Sequence, residues 1–334
     1  MVAMYNVAAY IEECVRSLFE QTLDDIEIII VNDCSSDNSL EIVLRTLEEY
    51  PNRKEQVRVV QHEQNTGIKT VRKDGVYQAR GEYVINVDGD DYTDIHMAET
   101  MYSKAKESDA DMVLCGFWKY TREGRYYVFP VPEESLSETE TIKDAVMNRY
   151  GWLNVWCRMI KREVLLDERM IWPTAGHGED VIISMAATYI AKKIVGVSEP
   201  LYHYRFTFNS ITNDPSATNR LKKYHEYVKN NETLFSFFQK YDIADKYQRG
   251  IIVSKMRAKN ELLALLPDSK YHKMWLKTYP EVNRIMLFGN SIFPSTYREK
   301  VWFLGVALGL YPKYKRRLLS KRFRPEFTWR YIPG

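Results

Sequence analysis

Short apolar runs alternate with amphipathic stretches along the first part of the chain. Ile26-Glu27-Ile28-Ile29-Ile30-Val31, Val57 to Val60, Tyr83 to Val87 and Met112 to Cys115 are brief and rich in β-branched or other apolar side chains, so they read as buried strands. Between them lie helical stripes. Ile11, Val15, Leu18 and Phe19 form one, Leu40, Val43, Leu44 and Leu47 a second, and Met97, Met101 and Ala105 a third. Strands alternating with helices predict an α/β domain whose parallel or mixed sheet is covered on both sides.

The polar positions that interrupt this pattern fall at strand ends. Val31 leads into Asn32-Asp33-Cys34-Ser35-Ser36-Asp37-Asn38-Ser39, and Val87 leads into Asp88-Gly89-Asp90-Asp91. In the second cluster three carboxylates share four positions and repel one another unless a cation intervenes. A hard divalent ion, Mg²⁺ or Mn²⁺, held by one or two carboxylates and completed by phosphate and water, suits that arrangement. Taken alone, an acidic surface turn explains the same residues as well. In α/β sheets of this kind ligands bind at the carboxyl ends of strands, where both clusters lie. That shared position favours a ligand site.

Met4-Tyr5-Asn6, Gln21-Thr22, Val31-Asn32-Asp33-Cys34-Ser35-Ser36-Asp37, Asn65-Thr66-Gly67, Arg72 with Gly75, Ala79-Arg80-Gly81-Glu82-Tyr83 and Val87-Asp88-Gly89-Asp90-Asp91 follow one another in a telling order. The series continues through Val155 to Arg162, Gly178-Glu179-Asp180, Leu201-Tyr202-His203-Tyr204-Arg205 and Asn209-Ser210-Ile211-Thr212. In order and spacing it resembles family 2 glycosyltransferases over about the first two thirds of the chain. The resemblance implies a GT-A fold, a Rossmann-like α/β domain with a mixed sheet that binds a nucleotide-sugar. There are departures. Only Met1-Val2-Ala3 precede Met4, so most of the family's first strand is missing, and Ala3 stands where a proline is usual. Asn32, Lys73 and Cys157 replace a common Asp, Asn and Asn, and Cys157 is expected to alter hydrogen bonding on the acceptor side.

The resemblance also implies roles. Asp33 is expected to accept from the uracil imide N–H of a UDP-sugar, and Tyr5 to pack on or bond to the nucleotide. Asp88 and Asp90 look like the family's D-x-D pair, with Asp88 near the ribose and metal shell and Asp90 the direct ligand of Mn²⁺ or Mg²⁺. Arg72 lies where a cation faces the phosphates, and Asp180 matches the catalytic base. A charge at a helix N-terminus explains Glu179 and Asp180 as well, since Val181, Ile182 and Met185 begin an apolar helix. Lys69 and Arg205 join Arg72 as candidate phosphate partners, with plain solvation the alternative. His203 reads as packed beside Tyr202 and Tyr204, with an accessory ligand role the other option. Metal and base together imply direct displacement with inversion.

Composition narrows the classes. With 334 residues, 45% of them hydrophobic, there is chain enough for a large core and an appended domain. A net charge of +2 makes no case for nucleic-acid binding. Cys14, Cys34, Cys115 and Cys157 are far apart and show neither a zinc pattern nor a disulfide framework. No signal-peptide pattern follows Met1, and a cytoplasmic setting is expected.

Character changes after about Asn213. The expected division is a catalytic domain over 1–212 with a truncated first strand, and a mainly helical region over 213–334. Residues 213–219 read as a connecting loop, followed by helical spacing of Leu221, Tyr224, His225 and Val228, then Leu234, Phe237 and Phe238. The apolar run Val301 to Tyr311 is too short to span a bilayer, which needs ~20 residues. A basic tail follows, Lys313, Lys315, Arg316, Arg317, Lys321, Arg322 and Arg324, interleaved with aromatic and aliphatic residues. Such a tail suits the surface of an anionic leaflet, and a packed helix with a solvated face is the alternative. The combined expectation is transfer of a sugar from UDP to a glycan or lipid-linked glycan in cell-surface polysaccharide biosynthesis, on the cytoplasmic face of the inner membrane. A non-catalytic nucleotide-sugar binder and a nucleotidyltransferase are the competing classes; the latter would carry a glycine-rich phosphate loop, which is not found.

Overall fold

A computed structural model of the chain describes residues 1–121, 124–128, 136–148, 153–205, 207, 214–266, 268–289, 297–309 and 329–331. The chain forms two compact units. One comprises Met1–Val146, Gly151–Phe208 and Phe327–Gly334, and the other Met147–Tyr150 and Asn209–Glu326.

The first unit runs β1 (Val2–Met4), α1 (Ile11–Phe19), β2 (Ile28–Asn32), α2 (Ser39–Glu48), β3 (Val57–Gln61), α3 (Ile68–Gln78), β4 (Tyr83–Ile85), β5 (Val87–Asp88), β6 (Tyr92–Thr93) and α4 (Met97–Ser108). It continues with β7 (Met112–Thr121), β8 (Gly124–Val128), α5 (Thr139–Met147), β9 (Arg158–Lys161), α6 (Arg162–Leu165), α7 (Glu179–Ile190) and β10 (Ile194–Tyr204). Among the described residues, β3-β2-β1-β5 form a parallel sheet in that order. The three residues of β1 are central in it, with Ala3 opposite both Val31 and Asp88. Every residue of β1 and β2 is buried, as strands covered on both faces must be.

The second sheet is mixed. Parallel β7 and β10 lie at its centre, β6, β8 and β9 pair antiparallel to them, and β4 joins β9. The expected single strand over Tyr83–Val87 is divided between the two sheets. Residues 83–85 pair with β9, residues 87 and 88 pair with β1, and buried Asn86 is the crossing point. The acids after Val87 are thereby placed at the carboxyl edge of the first sheet, beside those of β1 and β2.

Helix faces follow periodicity where one stripe dominates. Ile11, Val15 and Phe19 are buried on α1, and Met97, Met101 and Ala105 on α4. α2 is different. Its buried side is Ser39, Ile42, Val43 and Thr46; of the expected stripe through Leu40, Val43, Leu44 and Leu47, Val43 is buried, Leu40 and Leu47 are half-buried and Leu44 is 48% exposed. Packing against α1 turns the core face toward Ile42 and away from Leu44.

The second unit contains α8 (Ala217–Lys240), α9 (Gln248–Leu262), α10 (Ser269–Lys277), α11 (Pro280–Phe288) and α12 (Tyr297–Ala307). The last strand among the described residues, β11 (Trp329–Tyr331), belongs to the first unit and pairs with β8. α8 starts inside the stretch expected to be loop, because the Ser216 hydroxyl caps it by accepting from the Asn219 N–H. The core joins Tyr224, Ile252, Met256, Leu262, Trp275, Val282, Met286, Phe303 and Val306. Residues 310–328, with most of the basic tail, lie outside the described residues, as does the Asn209–Thr212 motif. No helix among the described residues is long and apolar enough to cross a membrane.

Lys259 is buried in this core, 1% exposed, with its Nζ 4.1 Å from the centre of the Trp275 ring and donating to the carbonyls of Trp275 and Thr278. Burial pushes its ammonium down to about 7, partly offset by Glu281. The unfolded chain keeps an ordinary lysine, so above pH 7 it binds more protons than the folded one, and stability rises with pH until about 10. Relative to Lys259→Met, the parent chain should gain on the order of 1–2 kcal/mol between pH 7 and 9. Urea unfolding of both proteins at the two pH values checks this, and a flat difference would refute it.

Candidate active site

The carboxyl ends of β1, β2 and β5 converge, and each is held by its own polar network. The loops after β1 and β2 are tied reciprocally. Asn6 Oδ1 accepts from the Ser36 N–H at 2.8 Å, and the N–H groups of Asn6, Val7 and Ala8 donate to Ser35, Ser39 and Asp37. Much of the polar cluster read after Val31 is therefore a brace. Tyr5, 44% exposed, sits at the head of the first loop.

Asp33 directly follows β2 and is 2% exposed. Its Oδ1 accepts from the Thr66 N–H and hydroxyl, each at 2.8 Å, and lies 2.8 Å from His62 Nδ1, while Oδ2 accepts from the Gly67 N–H at 2.8 Å. Burial alone would raise this carboxyl, but these donors outweigh it and hold it below the usual range. Asp33 is an ionised acceptor that anchors the Asn65-Thr66-Gly67 turn at the start of α3.

The acids after β5 occupy a tight turn, with the Asp91 N–H donating to the Asp88 carbonyl at 3.0 Å. Gly89 is required there because a Cβ would stand 2.8 Å from the Ala3 carbonyl oxygen and 3.1 Å from Val7. The three carboxylates then diverge. Asp91 is 2% exposed and turns inward, accepting from the Tyr202 hydroxyl at 2.8 Å and the Arg205 N–H at 2.7 Å. Burial, then the charges of Asp90 and Asp88, raise it well above the usual carboxylate range. Asp90 is half-buried and pushed up to about 6 by burial and by Asp88. Asp88 points at Arg72.

Arg72, 2% exposed, is the junction of the site. Its Nη2 lies 2.9 Å from Asp88 Oδ1 and 3.5 Å from both Glu179 Oε1 and Asp180 Oδ1. The two acids open α7, preceded by Gly178 at φ 80°, a left-handed conformation that lets the chain turn sharply into the helix. Burial raises both carboxyls, while Arg72 opposes the rise in each. One guanidinium thus links a strand-end acid of the first sheet to carboxylates more than ninety residues later.

Residues 1–167 match glycosyl transferase family 2. The chain belongs to that family. The chain is 37% identical over 221 residues to the uncharacterized glycosyltransferase EpsJ of Bacillus subtilis, covering 64% of this chain and 62% of that one. It is 31% identical over 222 residues to the glycosyltransferase GlyG of Streptococcus pneumoniae, covering 63% and 71%. The matched stretch thus spans about three fifths of EpsJ's length. Residues 1–349 of S. aureus TarS, solved with UDP, superpose with a TM-score of 0.54 at 20% identity, covering 94% of this chain and 88% of that one. The mannosyltransferase PcManGT of Pyrobaculum calidifontis, solved with GDP-Man and Mn²⁺, superposes at 0.52 with 16% identity over 96% and 86%. These likenesses place the fold in the GT-A class, with a helical C-terminal region.

Within this family 2 site, the remaining candidates divide. Arg205 joins the acids: its Nε donates to the Asp90 carbonyl at 3.0 Å, its Nη2 reaches Glu13 at 2.6 Å, and its guanidinium lies 5.0 Å from the centre of the Tyr92 ring. His203 stacks on Tyr92 at 4.3 Å and lies 3.0 Å from the Tyr120 hydroxyl through Nδ1, a packed position. Lys69 is half-buried in the first turn of α3. Cys157 is fully buried; burial pushes its thiol up to about 12, and it donates to the Asn154 carbonyl, so it faces the core. Gln21 is likewise structural, donating to Ser17 and Asp94 carbonyls and accepting from the Ala98 N–H.

Sequence reasoning did not single out Tyr202, Glu13 or His62, because their roles depend on partners up to 192 residues distant. Among the described residues no three His, Cys, Asp or Glu side chains converge as a metal cage. Asp88 and Asp90 still fit a hard divalent ion shared with a ligand. Both donors are oxygens, and Asp90's raised affinity for a proton marks a carboxylate that a cation would relieve.

Proposed function

We propose that the chain is an inverting glycosyltransferase that moves a sugar from a UDP-sugar to a glycan or lipid-linked glycan in cell-surface polysaccharide biosynthesis. The observation that carries this reading is Arg72, which ties Asp88, beside the nucleotide edge of the sheet, to Asp180 at the start of α7. A donor diphosphate and an attacking hydroxyl need these two groups within one small space.

In this reading Asp180 accepts the proton of the acceptor hydroxyl as its oxygen bonds to the anomeric carbon and the bond to the diphosphate breaks. A carboxyl raised by burial is a better-matched base near neutral pH than an exposed one. Attack from the face opposite the leaving group inverts the carbon. Asp33, ionised and acceptor-only, meets the imide N–H of uracil, and Tyr5 packs on the base. Asp90, with Asp88, would hold Mn²⁺ or Mg²⁺. That ion, when bound, would supply positive charge to the departing diphosphate. Arg205 and Lys69 border the same edge as phosphate partners. The basic tail rests on the anionic cytoplasmic leaflet, where a lipid-linked acceptor would be found.

Isothermal titration of the chain with UDP, GDP and CDP, each with and without Mn²⁺, is the test. UDP should bind most tightly, and only with metal. Tighter binding of GDP would remove the uracil assignment, and no nucleotide binding at all would sink the donor reading.

A further inference from the structure

Tyr204 stands on β10 two residues after Tyr202, so both side chains leave the same face of the strand. Both rings stack on Trp156, Tyr202 at 4.3 Å and 16°, Tyr204 at 5.5 Å and 9°. Trp156 is itself fixed edge-on by Phe117 at 4.7 Å. The two phenols are set alike, but their hydroxyls are used differently. That of Tyr202 is spent, accepting from the Asp88 N–H at 3.1 Å and donating to Asp91. That of Tyr204 makes no hydrogen bond among the described residues, although the side chain is half-buried and Lys119 Nζ lies 5.8 Å from the ring centre.

The hydroxyl of a ring held in place by stacking, with no hydrogen bond of its own among the described residues, is available to a ligand. The surroundings say where it stands. Burial, then the charges of Asp91, Asp90, Asp88 and Asp180, all raise the Tyr204 phenol. It therefore remains a neutral donor, on the residue next to Arg205, whose backbone N–H and Nε hold the Asp91 carboxylate and the Asp90 carbonyl. Under the reaction proposed above, the sugar being transferred lies beside those acids.

We propose that the Tyr204 hydroxyl hydrogen-bonds a ring substituent of the transferred hexose, positions its anomeric carbon, and contributes to the choice of donor sugar. The inference rests on the donor reading. The Trp156 stack makes the contact rigid, which is what discrimination between epimers requires: a fixed polar group left unpaired by the wrong sugar penalises it.

The test is Tyr204→Phe, which keeps the stack and deletes one oxygen. UDP alone, and UDP-GlcNAc, UDP-GalNAc, UDP-glucose and UDP-galactose, are titrated with Mn²⁺ into both proteins. UDP affinity should stay within about twofold, while the best-bound sugar nucleotide loses about tenfold, the scale of one hydrogen bond. The preference between 4-epimers should shrink as well. If the variant keeps the parent's full gain of sugar nucleotide over UDP and the same epimer preference, Tyr204 is only packing and the inference falls. If the parent binds no uridine nucleotide, the donor reading falls and this inference with it.

Discussion

Asp180→Asn is expected to bind the sugar nucleotide as the parent does and to lose at least ~10²-fold in kcat, the usual scale for a positioned base. The amide preserves shape at the head of α7 but cannot take the acceptor's proton. Arg72 retains Asp88 at 2.9 Å and Glu179 at 3.5 Å, so its charge stays compensated and the junction should persist. The check is kcat and KM with a lipid-linked glycan acceptor, alongside donor affinity by titration. Glu179→Gln is the informative companion, because Glu179 is the other carboxylate that shares Arg72 at the head of α7. A kcat within a few fold of the parent for Asp180→Asn would make that residue a helix-end charge that favours the dipole.

The second large effect is expected at Asp90. Asp90→Ala should remove the Mn²⁺-dependent gain in UDP affinity, weakening it by at least ~10²-fold, since even the outer partners of metal ligands cost 10–100-fold. Asp91→Ala provides the contrast. Asp91 faces inward to Tyr202 and Arg205, so its loss should lower the melting temperature first. Titration of UDP with and without Mn²⁺, paired with thermal unfolding of both variants, separates the two roles. Metal-dependent binding that survives in Asp90→Ala would take that carboxylate out of the site.

The sequence by itself determined a good deal. Alternating buried strands and amphipathic helices, with Asp33 and Asp88-Gly89-Asp90-Asp91 at strand ends, specified an α/β domain with ligand chemistry along one edge. These signals are local: a run of β-branched residues, a helical spacing, a glycine that lets acids crowd into a turn. Their order along the chain carried the family.

What only the tertiary structure decided has one physical cause, the choice among partners distant in sequence. The crowding of three acids into four positions leaves their contacts open until Tyr202 and Arg205 claim Asp91 and Arg72 claims Asp88. Tyr83–Val87 reads as one strand because strand propensity has no knowledge of which sheet each half will join, and only pairing to β9 and β1 divides it at Asn86. Periodicity on α2 marks Leu40, Val43, Leu44 and Leu47, but packing turns the core face toward Ile42 and Val43 and leaves Leu44 exposed. Arg72 reads from sequence as a free cation awaiting phosphate. Folding brings it against Asp88, Glu179 and Asp180, because a charge buried there is stable only when compensated by its opposites.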